Sequence, residues 1–223
     1  LFPQAAARLV AVDLKHNGNK LGYIPGAGDM VAASLRQVGY DVTELGEKDI
    51  MGGNLQQYDA IITGVRAYNT NNRLKYWQEK LMNYVKEGGV LLVQYNVNNP
   101  LVTTALGPYP FSLSRDRVTD ETAPVKLLHP DHQIMQYPNT ITAADFEGWV
   151  QERGLYYPGN VDGAYEKLFE MNDRNEAPLD AAVIVANYGK GRYVYTGLSF
   201  FRQLPAGVPG AYRLFVNLIS AKK

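Results

Sequence analysis

The chain has 223 residues, 46% of them hydrophobic and 20% charged, enough for one large domain with a substantial core. Lysine plus arginine and aspartate plus glutamate both number 22, so the formal net charge is zero; without a basic run, this argues against a general nucleic-acid binder. Cysteine is absent, which excludes thiol catalysis, disulfides and cysteine-ligated zinc, and no stretch approaches the roughly 18 consecutive apolar residues of a membrane span.

Strand and helix signals alternate through the first half. Leu21–Ile24 is a short β-prone run stopped by Pro25-Gly26. Val31, Leu35 and Val38 then recur at helical spacing, and Gly39 ends that helix. Tyr40–Leu45 is the next strand, and Ala60–Gly64 a third whose apolar centre suits a buried parallel sheet. Asn71 or Asn72 is placed to cap a helix with the apolar face Leu74, Trp77, Leu81, Tyr84 and Val85, closed by Gly88-Gly89. Val90–Tyr95 is the most hydrophobic strand and is expected at the centre of the sheet. Strands separated by helices imply right-handed βαβ units and a mostly parallel sheet.

From about Asn96 to Pro178 the chain is rich in Pro, Gly, Asn and Asp. Long loops and small strands are expected there, with one helix near Tyr165–Met171. Ala181–Ala186 and Arg192–Thr196, joined by Tyr188-Gly189-Lys190-Gly191, read as a hairpin. A last helix follows Pro209-Gly210 and uses Ala211, Phe215, Leu218 and Ile219. No internal repeat divides residues 1–223, which are read as a single domain. The opening Leu1-Phe2-Pro3-Gln4, with no initiator Met and no visible signal peptide, reads as a fragment of a longer protein.

Pro25-Gly26-Ala27-Gly28-Asp29, Tyr58–Gly64, the following helix and Gly88–Asn96 resemble, in order and spacing, the class I glutamine amidotransferase-like fold and its ThuA-like branch. Gly189–Leu198 resembles the G-x-G-R-hydrophobic hairpin of ThuA-like proteins. The resemblance implies a flavodoxin-like, three-layer α/β/α domain with a mostly parallel central sheet and a long irregular insertion in its second half. In that fold a hydrophobic strand leads to a sharp elbow presenting a nucleophile. Here Tyr95 or Asn96 would occupy the elbow, and neither replaces a thiolate. Phe146–Pro158 further resembles the C-terminal region of long bacterial PIG-L (LmbE-like) deacetylase-family proteins, especially those of Bacteroidetes. That likeness implies an accessory domain beside a zinc deacetylase module in the same chain. It also implies a periplasmic or extracellular setting, with the cytoplasm as the alternative.

The residues offer several kinds of site. Arg66, Tyr95 and Asn96 follow the third and fourth strands, and so belong to the crevice at the carboxyl ends of a parallel sheet, where ligands of this architecture bind. Arg66 is suited to clamp an anion bidentately. Asp145, Trp149 and Glu152 lie in a stretch mixing carboxylates with aromatic rings, a mixture that suits a glycan or sugar derivative. Sixteen tyrosines supply further rings for packing, interfaces or sugar stacking. Gly26-Ala27-Gly28-Asp29 is an incomplete dinucleotide motif, with Val31 at the third glycine position. His129-Pro130-Asp131-His132 resembles the PIG-L zinc motif but sits mid-chain and ends in His. No metal, cofactor or catalytic residue is assigned. The leading reading is a non-catalytic, glycan-binding or interdomain accessory domain. A ThuA-like hydrolase using Asp145, Glu147, Glu152 or His129 is the second, and a nucleotide-binding module the third.

Overall fold

The computed structural model describes residues 9–221. Its strands and helices are, in chain order, β1 (Lys20–Ile24), α1 (Val31–Gln37), β2 (Asp41–Glu44), α2 (Glu47–Gly52), β3 (Ala60–Thr63), α3 (Ala67–Thr70), α4 (Leu74–Lys86) and β4 (Val90–Gln94). The second half contains β5 (Ser112–Leu113), β6 (Arg117–Val118), β7 (Val125–Leu127), α5 (Gln133–Gln136), β8 (Gly154–Leu155), β9 (Pro158–Gly159), β10 (Glu166–Lys167) and β11 (Phe169–Met171). It closes with β12 (Val183–Tyr188), β13 (Gly191–Thr196), α6 (Phe200–Gln203) and α7 (Pro209–Ile219).

Seven strands form the central sheet in the order β10-β12-β13-β4-β3-β1-β2. Pairings from β2 through β13 are parallel, and β12 and β10 add an antiparallel edge. The most apolar strand, β4, is fully buried at the centre of this order, as its composition predicts. It is buried on both faces because helices cover both. One core gathers Val31 and Leu35 of α1 with Leu214, Phe215 and Leu218 of α7, and extends to Phe146 and Trp149. The other gathers Leu74, Trp77, Leu81 and Tyr84 of α4 with Tyr193 and Tyr195 of β13. This is a flavodoxin-like, three-layer α/β/α fold with a mostly parallel sheet. Among the described residues, no helix is long and apolar enough to cross a membrane.

Two local expectations change. Tyr165–Met171 is not a helix but β10 and β11. Phe169 and Met171 are buried with Glu170 between them, a period of two that fits a strand against β7. The Tyr165, Leu168 and Phe169 spacing looks helical, yet the chain changes partner at Leu168. Asn71 does not cap α4 directly. Its side chain accepts from Arg73 N at 3.1 Å, one turn ahead of the helix, where Arg73 stands at the cap position. The irregular middle is held by pairings of two or three residues, β5 with β9, β6 with β8 and β7 with β11.

Candidate functional site

The carboxyl ends of β1, β3, β4 and β13 meet at one edge of the sheet, and the loops leaving them build a crevice. The loop after β1 approaches the loop after β3 so closely that a Cβ on Gly26 would run into the Val65 carbonyl. Ala27 N donates to Val65 O at 2.8 Å, and the Asp29 carboxylate accepts from Val31 N and Val65 N, each at 2.9 Å. Tyr23 Oη also donates to Asp29, at 2.6 Å. Burial, reinforced by that carboxylate, raises the Tyr23 pKa, so the phenol remains the donor. Asp29 thus occupies two backbone amides at this turn and places a negative charge there, which disfavours a phosphate.

The sharp turn lies one strand away from its expected position. Neither Tyr95 nor Asn96 has a left-handed backbone, whereas Arg66, three residues after β3, has φ 57° and ψ 25°. Asn96 keeps the β4 loop from turning in that way because it is tied on every side. Its Oδ1 accepts from Tyr68 N at 2.9 Å, its Nδ2 donates to Gln94 O at 2.8 Å, and its N donates to the Tyr195 hydroxyl at 3.1 Å. Asn96 is fully buried and shapes the crevice floor. Arg66 N donates to Tyr95 O at 2.8 Å, joining the two loops.

Tyr95 is the centre of the crevice. Its ring stacks on Phe201 at 5.4 Å and on Tyr156 at 6.0 Å between centroids. Burial raises the Tyr95 pKa, and the surrounding charges act on it with both signs. Arg66 and Arg202 favour the phenolate, while Tyr156 and Glu152 oppose it. The phenol is therefore neutral at physiological pH and is no substitute for a nucleophile. Glu152 Oε1 accepts from Arg202 Nε at 2.7 Å, so one charge of each sign is mutually compensated. Glu152 and Tyr156 also line an adjoining cleft of about 340 Å³ with Arg115, Arg117, Thr119 and Leu155.

The insertion reaches this edge through a small set of hydrogen bonds. Ser199 Oγ donates to Glu152 O at 2.7 Å, Leu155 N donates to Gly197 O at 2.9 Å, and Val150 N donates to Gln203 Oε1 at 2.8 Å. Ser199 and Gln203 are fully buried, so these bonds lie in low dielectric and fix the segment against the β13–α6 turn. Tyr156 then leaves on a left-handed backbone, φ 54°, with its ring against Tyr95.

Of the residues singled out from the sequence, Arg66, Tyr95, Asn96 and Glu152 come together here. Asp145 and Trp149 do not. Asp145 Oδ1 accepts from Arg213 Nε on α7 at 2.8 Å, and its Oδ2 accepts from Thr142 N at 2.8 Å. Trp149 is buried, stacks on Phe146 and donates to Asp145 O at 3.0 Å. Both are engaged in joining the insertion to the rest of the fold. Trp149, Glu147 and Arg153 line a different cleft, of about 520 Å³. His129 lies toward the opposite edge of the sheet. It acts electrostatically on His132 together with Arg192, whose strand position pairs with the first residue of β4. His132 Nδ1 accepts from Ile134 N at 3.1 Å and caps α5. Sequence reasoning passed over Tyr156 as a separate site residue, and also Phe201, Arg202, Arg115 and Arg117. Phe201 and Arg202 follow a parallel strand within six residues, and the carboxyl-end rule could have found them.

No known protein family matches the chain, and no curated protein matches it. Solved structures do. A cytoplasmic protein, STM3548 from Salmonella typhimurium, is 15% identical with a TM-score of 0.56, over 90% of this chain and 97% of that one. PurLQS from Thermotoga maritima is 10% identical with a TM-score of 0.58, over 91% and 98%. A ThuA-like protein from Bacteroides uniformis is 14% identical with a TM-score of 0.51, over 96% and 93%. The fold is ThuA-like. At these identities the likenesses show the class I glutamine amidotransferase-like architecture and nothing of the chemistry, and they do not bear on the PIG-L relationship.

Proposed function

We propose that this ThuA-like domain is a non-catalytic binding module whose carboxyl-edge crevice takes a sugar ring. The observation that carries the reading is the aromatic stack Tyr156–Tyr95–Phe201, set beside Arg66 and the Arg202–Glu152 pair. Aromatic faces stack on the apolar faces of sugars, and charged groups at the rim pair with hydroxyls. Hydrolysis of a sugar derivative requires a second acid or base facing Glu152. Asp145 is held by Arg213, and Glu147 and His129 lie elsewhere, so the binding reading is preferred over the hydrolase.

Screening the protein on a glycan array, followed by calorimetry with the hits and with Tyr156→Ala, tests this. Tyr156 is half-buried, and its removal leaves Tyr95 stacked on Phe201. Binding that weakens at least about tenfold in the variant supports the proposal. An array without hits, or hits indifferent to Tyr156→Ala, refutes it. The likeness of Phe146–Pro158 to PIG-L proteins supports placing the module beside a zinc deacetylase in an exported chain. A full-length gene encoding no deacetylase module refutes that placement.

A further inference from the structure

Most arginines that reach into this fold have a visible counterpart. Arg213 pairs with Asp145 and Arg202 with Glu152. Arg153 donates to the carbonyls of Ala123 and Phe146, and Arg192 to those closing α7. Arg66 is different. Its Nε is buried with no hydrogen-bond partner, as is that of Arg192, but Arg192 donates from Nη2 to three carbonyls, whereas among the described residues neither a carbonyl nor a carboxylate pairs with any part of the Arg66 guanidinium group. Buried donors are nearly always satisfied, and a group that is not calls for an explanation. The residue also stands on a left-handed backbone that an arginine rarely adopts.

We propose that Arg66 is an anion-recognition residue and that the natural ligand of the crevice is an acidic glycan. A carboxylate or sulfate of one sugar unit is held by the guanidinium fork while a ring lies on Tyr156. This rests on the carbohydrate reading of the same crevice and adds the charge of the ligand to it. An oxyanion supplies an acceptor for the buried Nε and neutralises a charge that has lost part of its hydration. A neutral hydroxyl supplies only the first. Glu152 does not oppose an anion strongly, because it is already paired with Arg202 at 2.7 Å. Beyond Tyr156, two further arginines, Arg115 and Arg117, line the adjoining cleft. A glycan with acidic groups on successive units therefore meets arginine on both sides of the stacking ring.

The test is calorimetry on the purified chain with short oligogalacturonates, the same oligosaccharides as methyl esters, and carrageenan oligosaccharides with and without their sulfates. Each pair keeps the rings and changes only the charge. The expected result is at least about tenfold tighter binding of one or both acidic forms, with the difference shrinking as salt rises. Whichever acidic form leads distinguishes carboxylate from sulfate. Arg66→Asn, a residue that tolerates the left-handed backbone, should level acidic and neutral forms while circular dichroism and the melting curve confirm a folded protein. Arg66→Lys, which keeps charge but loses the fork, should fall between. Equal binding of acidic and neutral forms by the parent protein overturns the proposal and leaves the sugar-binding reading standing. So does an acid preference that survives Arg66→Asn. Failure of all four probes to bind overturns the proposal; the glycan array decides separately whether the crevice binds sugar at all.

Discussion

Arg66→Gly should stabilise the fold while abolishing the preference for acidic over neutral sugars. At φ 57° and ψ 25° the arginine sits where an L-residue costs about 1–2 kcal/mol and glycine does not. Glycine returns about 0.5–1 kcal/mol of that through the entropy of the unfolded chain. The buried Nε without a partner adds a penalty of about 1–3 kcal/mol that the variant also removes. The loss of side-chain contact with the crevice wall costs about 1–2 kcal/mol the other way, leaving a net gain of about 1 kcal/mol. In a chain of this size that is a rise of about 2–4 °C in Tm. Urea unfolding followed by fluorescence of the two tryptophans, Trp77 and Trp149, reads it directly, since both are buried in separate cores. A loss of more than about 1 kcal/mol would show that Arg66 holds the β3 and β4 loops together rather than being held in strain for a ligand.

Other residues should behave as parts of the frame. Asp145→Ala removes a buried partner of Arg213 and the acceptor for Thr142 N, and should cost about 2–3 kcal/mol in urea unfolding with unchanged glycan affinity. His132 is pushed below its ordinary pKa of 6.5 chiefly by burial, with Glu166 opposing and Arg192 and His129 reinforcing. The unfolded chain therefore takes up the proton first, so this contribution to stability is complete above 6.5 and declines as pH falls through 6.5 toward the lower folded value. Urea midpoints should drop between about pH 7.5 and about pH 5.5, and His132→Asn, which can still cap α5, should flatten the slope. A slope unchanged in that variant would assign the titration to another group.

What could be read in advance follows from how locally each feature is encoded. The runs Val90–Gln94 and Val183–Thr196, and the helical faces of α4 and α7, carry their periodicity within one segment, and they fold as that periodicity predicts. The middle of the chain does not. Its strands are two or three residues long and exist because distant segments pair, such as Ser112 with Gly159 and Arg117 with Leu155. The stretch 145–157 looks like one cluster of acids and rings, yet the structure divides it. Left-handed Gly148, Gln151 and Tyr156 turn the chain, so that Asp145 faces α7 and Trp149 packs on Phe146 and Phe200, while Glu152 and Tyr156 reach the sheet edge. The strain at Arg66 has no sequence signature, because arginine after a strand is usually in an ordinary conformation. Its position at the crevice was nevertheless legible from the order of strands.

Ring resonances report where on the molecule a ligand sits. Two-dimensional NMR of the protein titrated with an acidic oligosaccharide should shift the aromatic signals of Tyr156, Tyr95 and Phe201, while the indole N–H of Trp149 stays still. Movement of the Trp149 indole with Tyr156 unmoved would put the ligand in the other cleft, beside Phe146 and Arg153, and would contradict the account.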